Sequence, residues 1–181
     1  WIKMTVDKII DDVLLYLIWL QTPIDNFNDM PVCPFIKKDL DNDEILFLVQ
    51  KKNNEFIDLI KKWDVSGKKT GLIIQMNMPQ YGDRRNTYQI LLNKKIKEVW
   101  TKGPDQPKVL VFDPSEKWDI AGVQTRKRAP TLLINIARRK DLSEAHKKLQ
   151  KTKWYDRLSE EDLKRLKMEP KSDETTPSTI S

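Results

Sequence analysis

Cys33 and His146 are the only cysteine and the only histidine in this chain of 181 residues, and that limits the chemistry it can assemble. A metal centre built on several His or Cys ligands needs more of both, so none is expected. Carboxylates could still hold a hard cation, but Asp11-Asp12 and Asp41 to Glu44 read as solvated acidic surface. His146, between Ala145 and Lys147, reads as a surface residue. One cysteine allows no intrachain disulfide, which fits a reducing compartment.

Cys33 is the one candidate catalytic nucleophile. Lys37 and Lys38 lie close in sequence, and neighbouring cations lower a thiol's pKa and raise its thiolate fraction. Cys33-Pro34-Phe35-Ile36 has the form of a glutaredoxin-like Cys-Pro-Phe-Cys motif without its second cysteine. Those motifs follow a strand and open a helix, whose N-terminus stabilises the thiolate. Here the next regular element reads as a strand, so the plainer reading is a small apolar side chain packed under a loop.

A second constellation is Asp113, Asp119, Arg126, Lys127 and Arg128, followed by Pro130 at the start of a strand. Loops leaving the carboxyl ends of parallel strands point at ligands, and arginine suits bidentate contact with phosphate or carboxylate. This predicts an anion-binding site around Asp113, Asp119, Arg126, Arg128 and Pro130. The competing reading is a turn at Asp113-Pro114 and a solvated basic loop.

A third lies in the C-terminal third. Between Arg126 and Lys167 there are fourteen Lys or Arg against six Asp or Glu, a net of +8, while the whole chain carries +6. Arg138, Arg139, Lys147 and Lys148, with Trp154 and Tyr155 among them, are what single-stranded RNA binding would use. A solvated Lys-rich helix has the same composition. The partners expected are thus an anionic small molecule or RNA. No cofactor motif appears: P-loop, GxGxxG and Gly-x-Ser-x-Gly are all absent, and five glycines leave little room for a phosphate cradle.

The elements that position these residues follow from periodicity. Val6, Ile9, Ile10, Val13, Leu14, Leu17 and Ile18 recur at helical spacing, with Thr5 or Asp7 as cap and Thr22-Pro23 as stop. Residues 22 to 44 read as a long loop holding the patch Met30 to Phe35. Strands are predicted at 44–49, 71–76, 108–112 and 130–136. Helices are predicted from Asn53 or Asn54 to Ser66-Gly67 and over 84–100, the latter with the stripe Tyr88, Leu91, Leu92, Ile96, Val99 and Trp100. Two more are predicted at about 141–154 and 159–167. The strands are apolar on nearly every residue, as expected when both faces are covered. The order predicts an α/β fold, a mainly parallel or mixed sheet of about four strands with helices on both faces. A strand entered at Pro130 is also how thioredoxin-like folds enter a strand, through a cis proline. One domain is expected over 1–168, with a disordered tail at 169–181.

Two segments carry a family resemblance: Val32-Cys33-Pro34-Phe35 after the first helix, and Asp119-Ile120-Ala121-Gly122-Val123-Gln124-Thr125-Arg126 ahead of Pro130-Thr131-Leu132-Leu133. Together, over about residues 5–168, they resemble the uncharacterised bacterial family 1415 of domains of unknown function. The resemblance implies a related fold and no assigned reaction. The family strand has a histidine where Leu133 stands and an arginine near Ile136, so chemistry built on that histidine is not carried over.

The totals fit a globular protein, at 39% hydrophobic and 33% charged residues. The most apolar run, Val13 to Leu20, is far short of the roughly 20 residues a membrane span needs. A cytoplasmic protein without a membrane partner is expected. The chain begins at Trp1, with Met4 three positions on; a fragment and a start at Met4 are both open.

Overall fold

Burial and backbone pairing sort the apolar runs into one sheet covered on both faces. The computed structural model describes residues 6–24, 30–31, 33–76, 84–114, 119–120, 123–124, 129–152 and 154. Among these, helix α1 (Val6–Leu20) buries Ile9, Val13 and Leu17 of the predicted stripe together with Tyr16 and Leu20, while Val6 and Ile18 stay exposed. Strands β1 (Pro23–Ile24) and β2 (Met30–Pro31) pair antiparallel. A short helix, α2 (Ile36–Asp41), follows inside the segment predicted to be a loop. Lys37 Nζ bridges to Asp41 over 2.7 Å across one turn. Six residues are too few to show a helical stripe in sequence.

The main sheet is built from β3 (Ile45–Gln50), β4 (Thr70–Gln75), β5 (Pro107–Phe112) and β8 (Leu133–Arg138), in the order β3-β4-β8-β5. β3 and β4 are parallel, and β8 is antiparallel to both its neighbours. β3, β4 and β5 therefore run the same way, with β8 inserted between the last two. A further two-residue pair, β6 (Asp119–Ile120) and β7 (Val123–Gln124), precedes β8. The α/β reading with a mixed four-stranded sheet holds. The described residues contain no cis peptide bond, so the proline feature behind the thioredoxin-like analogy is not present.

α1 covers one face, where Leu17 and Val13 join Leu72, Ile74 and Leu133. Helices α3 (Phe56–Ser66) and α4 (Arg85–Val99) cover the other, where Phe56, Ile60, Trp63, Leu92 and Ile96 pack on Ile73, Val109, Ile134 and Ile136. Gly67, at φ 71, ends α3 in the left-handed conformation that glycine adopts at no steric cost. Helix α5 (Arg139–Gln150) starts directly after β8, earlier than predicted. Its first free N–H groups are taken by the loop before β5: Arg139 N donates to Gln106 O (3.1 Å) and Lys140 N to Pro104 O (2.8 Å). A helix capped by a distant loop has no capping residue to read.

α4 departs from its predicted stripe. Leu92 and Ile96 are buried, but Leu91 is 52% and Val99 48% exposed. The helix leans on the free edge of β5 as well as on the sheet face. Asn93 Nδ2 donates to Val109 O and Val109 N donates to Asn93 Oδ1, both at 3.1 Å. Val111 N donates to Gln89 Oε1 (2.8 Å), and Arg85 Nη1 donates to Val111 O (3.1 Å). Arg85, Gln89 and Asn93, four residues apart, thus act as a substitute strand.

The predicted helix at 159–167, the tail at 169–181, the cap at Thr5 and the turn at 79–83 lie outside the described residues. No helix among the described residues is long and apolar enough to cross a membrane.

Candidate functional site

In the parallel set, β3 and β4 end on glutamines and β5 is followed by an aspartate. Gln50 pairs in register with Gln75, Gln75 N donates to Leu132 O (3.0 Å), and one step beyond the Phe112↔Leu133 pair lies Asp113. Gln50, Gln75, Leu132 and Asp113 therefore form a row across the carboxyl ends of β3, β4 and β5. Strand alternation puts all four on the face covered by α3 and α4. Gln50 and Gln75 are each 1% exposed and Asp113 3%. Three buried polar side chains so placed require partners.

Some of those partners are internal. Gln75 Nε2 donates to Gln50 Oε1 (2.8 Å) and to the Tyr88 hydroxyl (2.9 Å), and Gln50 Nε2 donates to Lys52 O (3.0 Å). The Thr131 hydroxyl donates to Gln75 O (2.8 Å), tying the start of β8 to the row. Gln75 Oε1, fully enclosed, accepts no hydrogen bond among the described residues. Two strand spacings separate the Gln75 and Asp113 backbones, about 10 Å, with the buried Leu132 of the row between them. Arg85, at the start of α4, borders the same end through Val111 O.

Of the anion-site residues read from sequence, Asp113 is in this row and Pro130 is half-buried beside it, next to Thr131. Asp119 lies on β6. Arg126 and Arg128 lie outside the described residues. Gln50, Gln75 and Arg85 were not singled out from sequence, and Tyr88 was read only as part of a helix stripe; for the strand ends there was a signal. Their signal was a polar residue closing each apolar run: ILFLV then Gln50, GLII then Gln75, KVLVF then Asp113.

Cys33 belongs to the opposite face, packed half-buried against the α1 cluster. Burial pushes its thiol up, against the backbone N–H groups of Phe35 and Ile36, which pull it down. The lowered thiol pKa expected from Lys37 and Lys38 is thus corrected: desolvation wins. The element after Cys33 is also corrected, being α2 and not a strand.

The basic residues of the C-terminal third divide. Arg138 lies 4.7 Å over the Trp63 ring, bridges to Asp64 (3.4 Å) and donates to Lys68 O (3.3 Å). Trp154 packs against the α1 cluster, with Nε1 donating to Pro31 O (3.3 Å). Both are engaged in holding the fold. Arg139 and Lys147 instead line an open groove of about 460 Å³ with Lys102, Lys140, Ser143 and Glu144. Lys140 pairs with Asp105 over 2.5 Å, which lowers the Asp105 pKa and raises that of Lys140. Lys148 is exposed on α5. No group of three or more His, Cys, Asp or Glu among the described residues is arranged to hold a metal ion.

In comparisons with known proteins, no family model, no curated protein and no solved structure matches the chain.

Proposed function

We propose that this chain is a binding module for a small anionic molecule that also carries an O–H or N–H donor, held at the carboxyl end of the sheet. The observation that carries this reading is Gln75 Oε1, a buried acceptor with no donor among the described residues, set in the row of Gln50, Gln75 and Asp113. Open α/β sheets bind ligands outside the carboxyl ends of their strands. An unpaired buried acceptor costs about 1–3 kcal/mol, a cost that a donor on the ligand would offset. Arg126 and Arg128, which precede Pro130 in sequence, are the cations that this reading assigns to the anionic end. The resemblance to family 1415 remains part of this reading and adds no reaction to it.

The test is thermal unfolding with hydrogen phosphate, citrate, a hydroxy-carboxylate and an amino-carboxylate. At least one should raise the melting temperature of the native chain, and Arg126→Ala and Gln75→Met should each shrink that rise. A rise unchanged in both variants would sink the proposal.

A second reading has its own support. The groove lined by Lys102, Arg139, Lys140 and Lys147 carries four cations, of which Lys140 is paired with Asp105, beside Glu144, a fit for the phosphates of RNA. It lacks an aromatic lining, so contact there would run through the backbone without base stacking. Oligoribonucleotide affinity should then fall steeply with salt, and more weakly in the variant Arg139→Ala/Lys147→Ala. Absence of binding at low salt would remove this reading.

A further inference from the structure

The helical layer formed by α3 and α4 carries apolar side chains on its outer surface. On α4, Ile90 is 67%, Leu91 52% and Val99 48% exposed, and on α3 Val65 is 86% exposed. Trp100 Nε1 donates to Asp64 Oδ2 (3.3 Å), tying the end of α4 to the end of α3, so Val65 and Val99 belong to the same end of the layer. The exposure on α4 has a cause. Gln89 and Asn93 are turned onto the β5 edge, and that rotation carries Leu91 and Val99 out of the core. Lysines are interleaved with these side chains. Ile90, Lys94 and Lys97, spaced four and three apart, share one line of the helix, and Leu91, Lys95 and Val99, spaced four apart, share the next. Lys61 and Lys62 are exposed on α3. The exposed charged side chains of the two helices are these five lysines, Asp58 and Glu98, a net of +3.

We propose that this layer docks on an anionic lipid bilayer, with Ile90, Leu91 and Val99 entering the acyl boundary and Lys94, Lys95 and Lys97 reaching the headgroups. The combination of side chains selects this occupant. The patch is the outer ridge of a helix and is convex, whereas a small molecule or a peptide helix is taken by a pocket or a groove. Nucleic acid would satisfy the lysines and leave Ile90 and Leu91 against charged phosphates. A second copy of the chain would set lysine against lysine. An anionic bilayer takes both kinds of side chain, because its attraction grows with the apolar area buried and with each cation near the surface. Lysine stems lie along apolar surface while the ammonium stays in water, which suits Lys94 and Lys95, one turn beyond Ile90 and Leu91. The chain's net charge of +6 acts in the same sense. That no helix among the described residues can cross a membrane has no bearing on lying against its surface, so the expectation of no membrane partner does not reach this case.

The test is flotation of the full chain with vesicles of phosphatidylcholine alone and of phosphatidylcholine with about 30% phosphatidylserine, at roughly 0.1 M salt. Binding to the anionic vesicles only, weakening as salt rises, is expected. Two double variants separate the contributions. Their residues are exposed, so each should keep the melting temperature of the native chain. Lys94→Gln/Lys97→Gln should weaken binding roughly thirtyfold. Ile90→Ser/Leu91→Ser leaves the charge unchanged and should weaken it about tenfold or more. A native chain that does not float with the anionic vesicles, or floats equally with both kinds, overturns the proposal. So does binding that Lys94→Gln/Lys97→Gln abolishes and Ile90→Ser/Leu91→Ser leaves intact, which is adsorption by charge alone. A concentration-dependent dimer that Ile90→Ser/Leu91→Ser dissolves would give the patch to a second copy and overturn it as well.

Discussion

Replacing Asn93 with alanine tests whether α4 seals the β5 edge. Asn93 gives one donor and one acceptor to Val109, whose residue exposure is 0%. Alanine leaves a buried N–H and a buried C=O unpaired, at about 1–3 kcal/mol each. Against this, alanine is a better helix former than asparagine by roughly 0.6 kcal/mol. Water entering the vacated space would recover part of the rest. The net expected is a loss of about 2–4 kcal/mol, which at a urea slope of roughly 2 kcal/mol/M lowers the midpoint by about 1–2 M. Lys94→Ala, one residue along and exposed, is the control and should shift the midpoint little. Asn93→Ala should also raise thioflavin-positive aggregation, because it uncovers an edge strand. Equal midpoints for the two variants would refute the idea that these amides substitute for a strand.

Three other outcomes follow from the same structure. Gly71→Ala should cost about 1–3 kcal/mol by overpacking, since a Cβ there would sit 2.8 Å from the Trp63 ring and 2.9 Å from Ile136; an unchanged melting temperature would contradict that contact. Backbone donors from Lys51 and Lys52 hold the Glu55 pKa below its ordinary value, so its contribution is present above the ordinary carboxylate range and is lost as pH falls through its folded pKa; Glu55→Gln should flatten the acid limb of urea midpoint against pH, and an unaltered limb would count against it. Iodoacetamide should label Cys33 slowly in the native protein and quickly after unfolding, because burial raises its thiol pKa; rapid native labelling at pH 7 would reverse that assignment.

Where an element packs one continuous face on the core, its sequence revealed it. The stripe of α1 and the four apolar runs were legible because their burial follows a period of 3.6 or 2. Three things escaped for one physical reason: their partners are distant in sequence. α5 begins where Gln106 and Pro104 offer carbonyls. α2 carries Asp39, which accepts from Lys69 (2.9 Å) and Thr70 (2.9 Å) some thirty residues on. α4 meets a strand edge, where a side chain must carry amides, so Gln89 and Asn93 sit at contact positions and Leu91 stays outside. A polar residue at a contact position looks like surface until the edge it serves is known.

The site was legible in the same partial way. Of the candidate residues, Asp113 and Pro130 were singled out from sequence because a carboxylate and a proline punctuate strand ends. Gln50 and Gln75 were passed over because Gln50 falls just past the predicted strand at 44–49, and Gln75, inside the predicted strand at 71–76, gives no sign of which residues share its face. Strand order changes their meaning. Three parallel strands ending in register bring Gln50, Gln75 and Asp113 into one buried row. A buried amide has two donors and two acceptor sites to satisfy, and tight internal bonding occupies the Gln75 donors on Gln50 and Tyr88 while leaving its oxygen without a partner among the described residues. Apolar residues would close these strands at no such cost. Two of these strands instead end on buried amides and a buried carboxylate follows the third, all facing the same helices, and that is why the proposed site is set at their carboxyl ends and not at the one thiol.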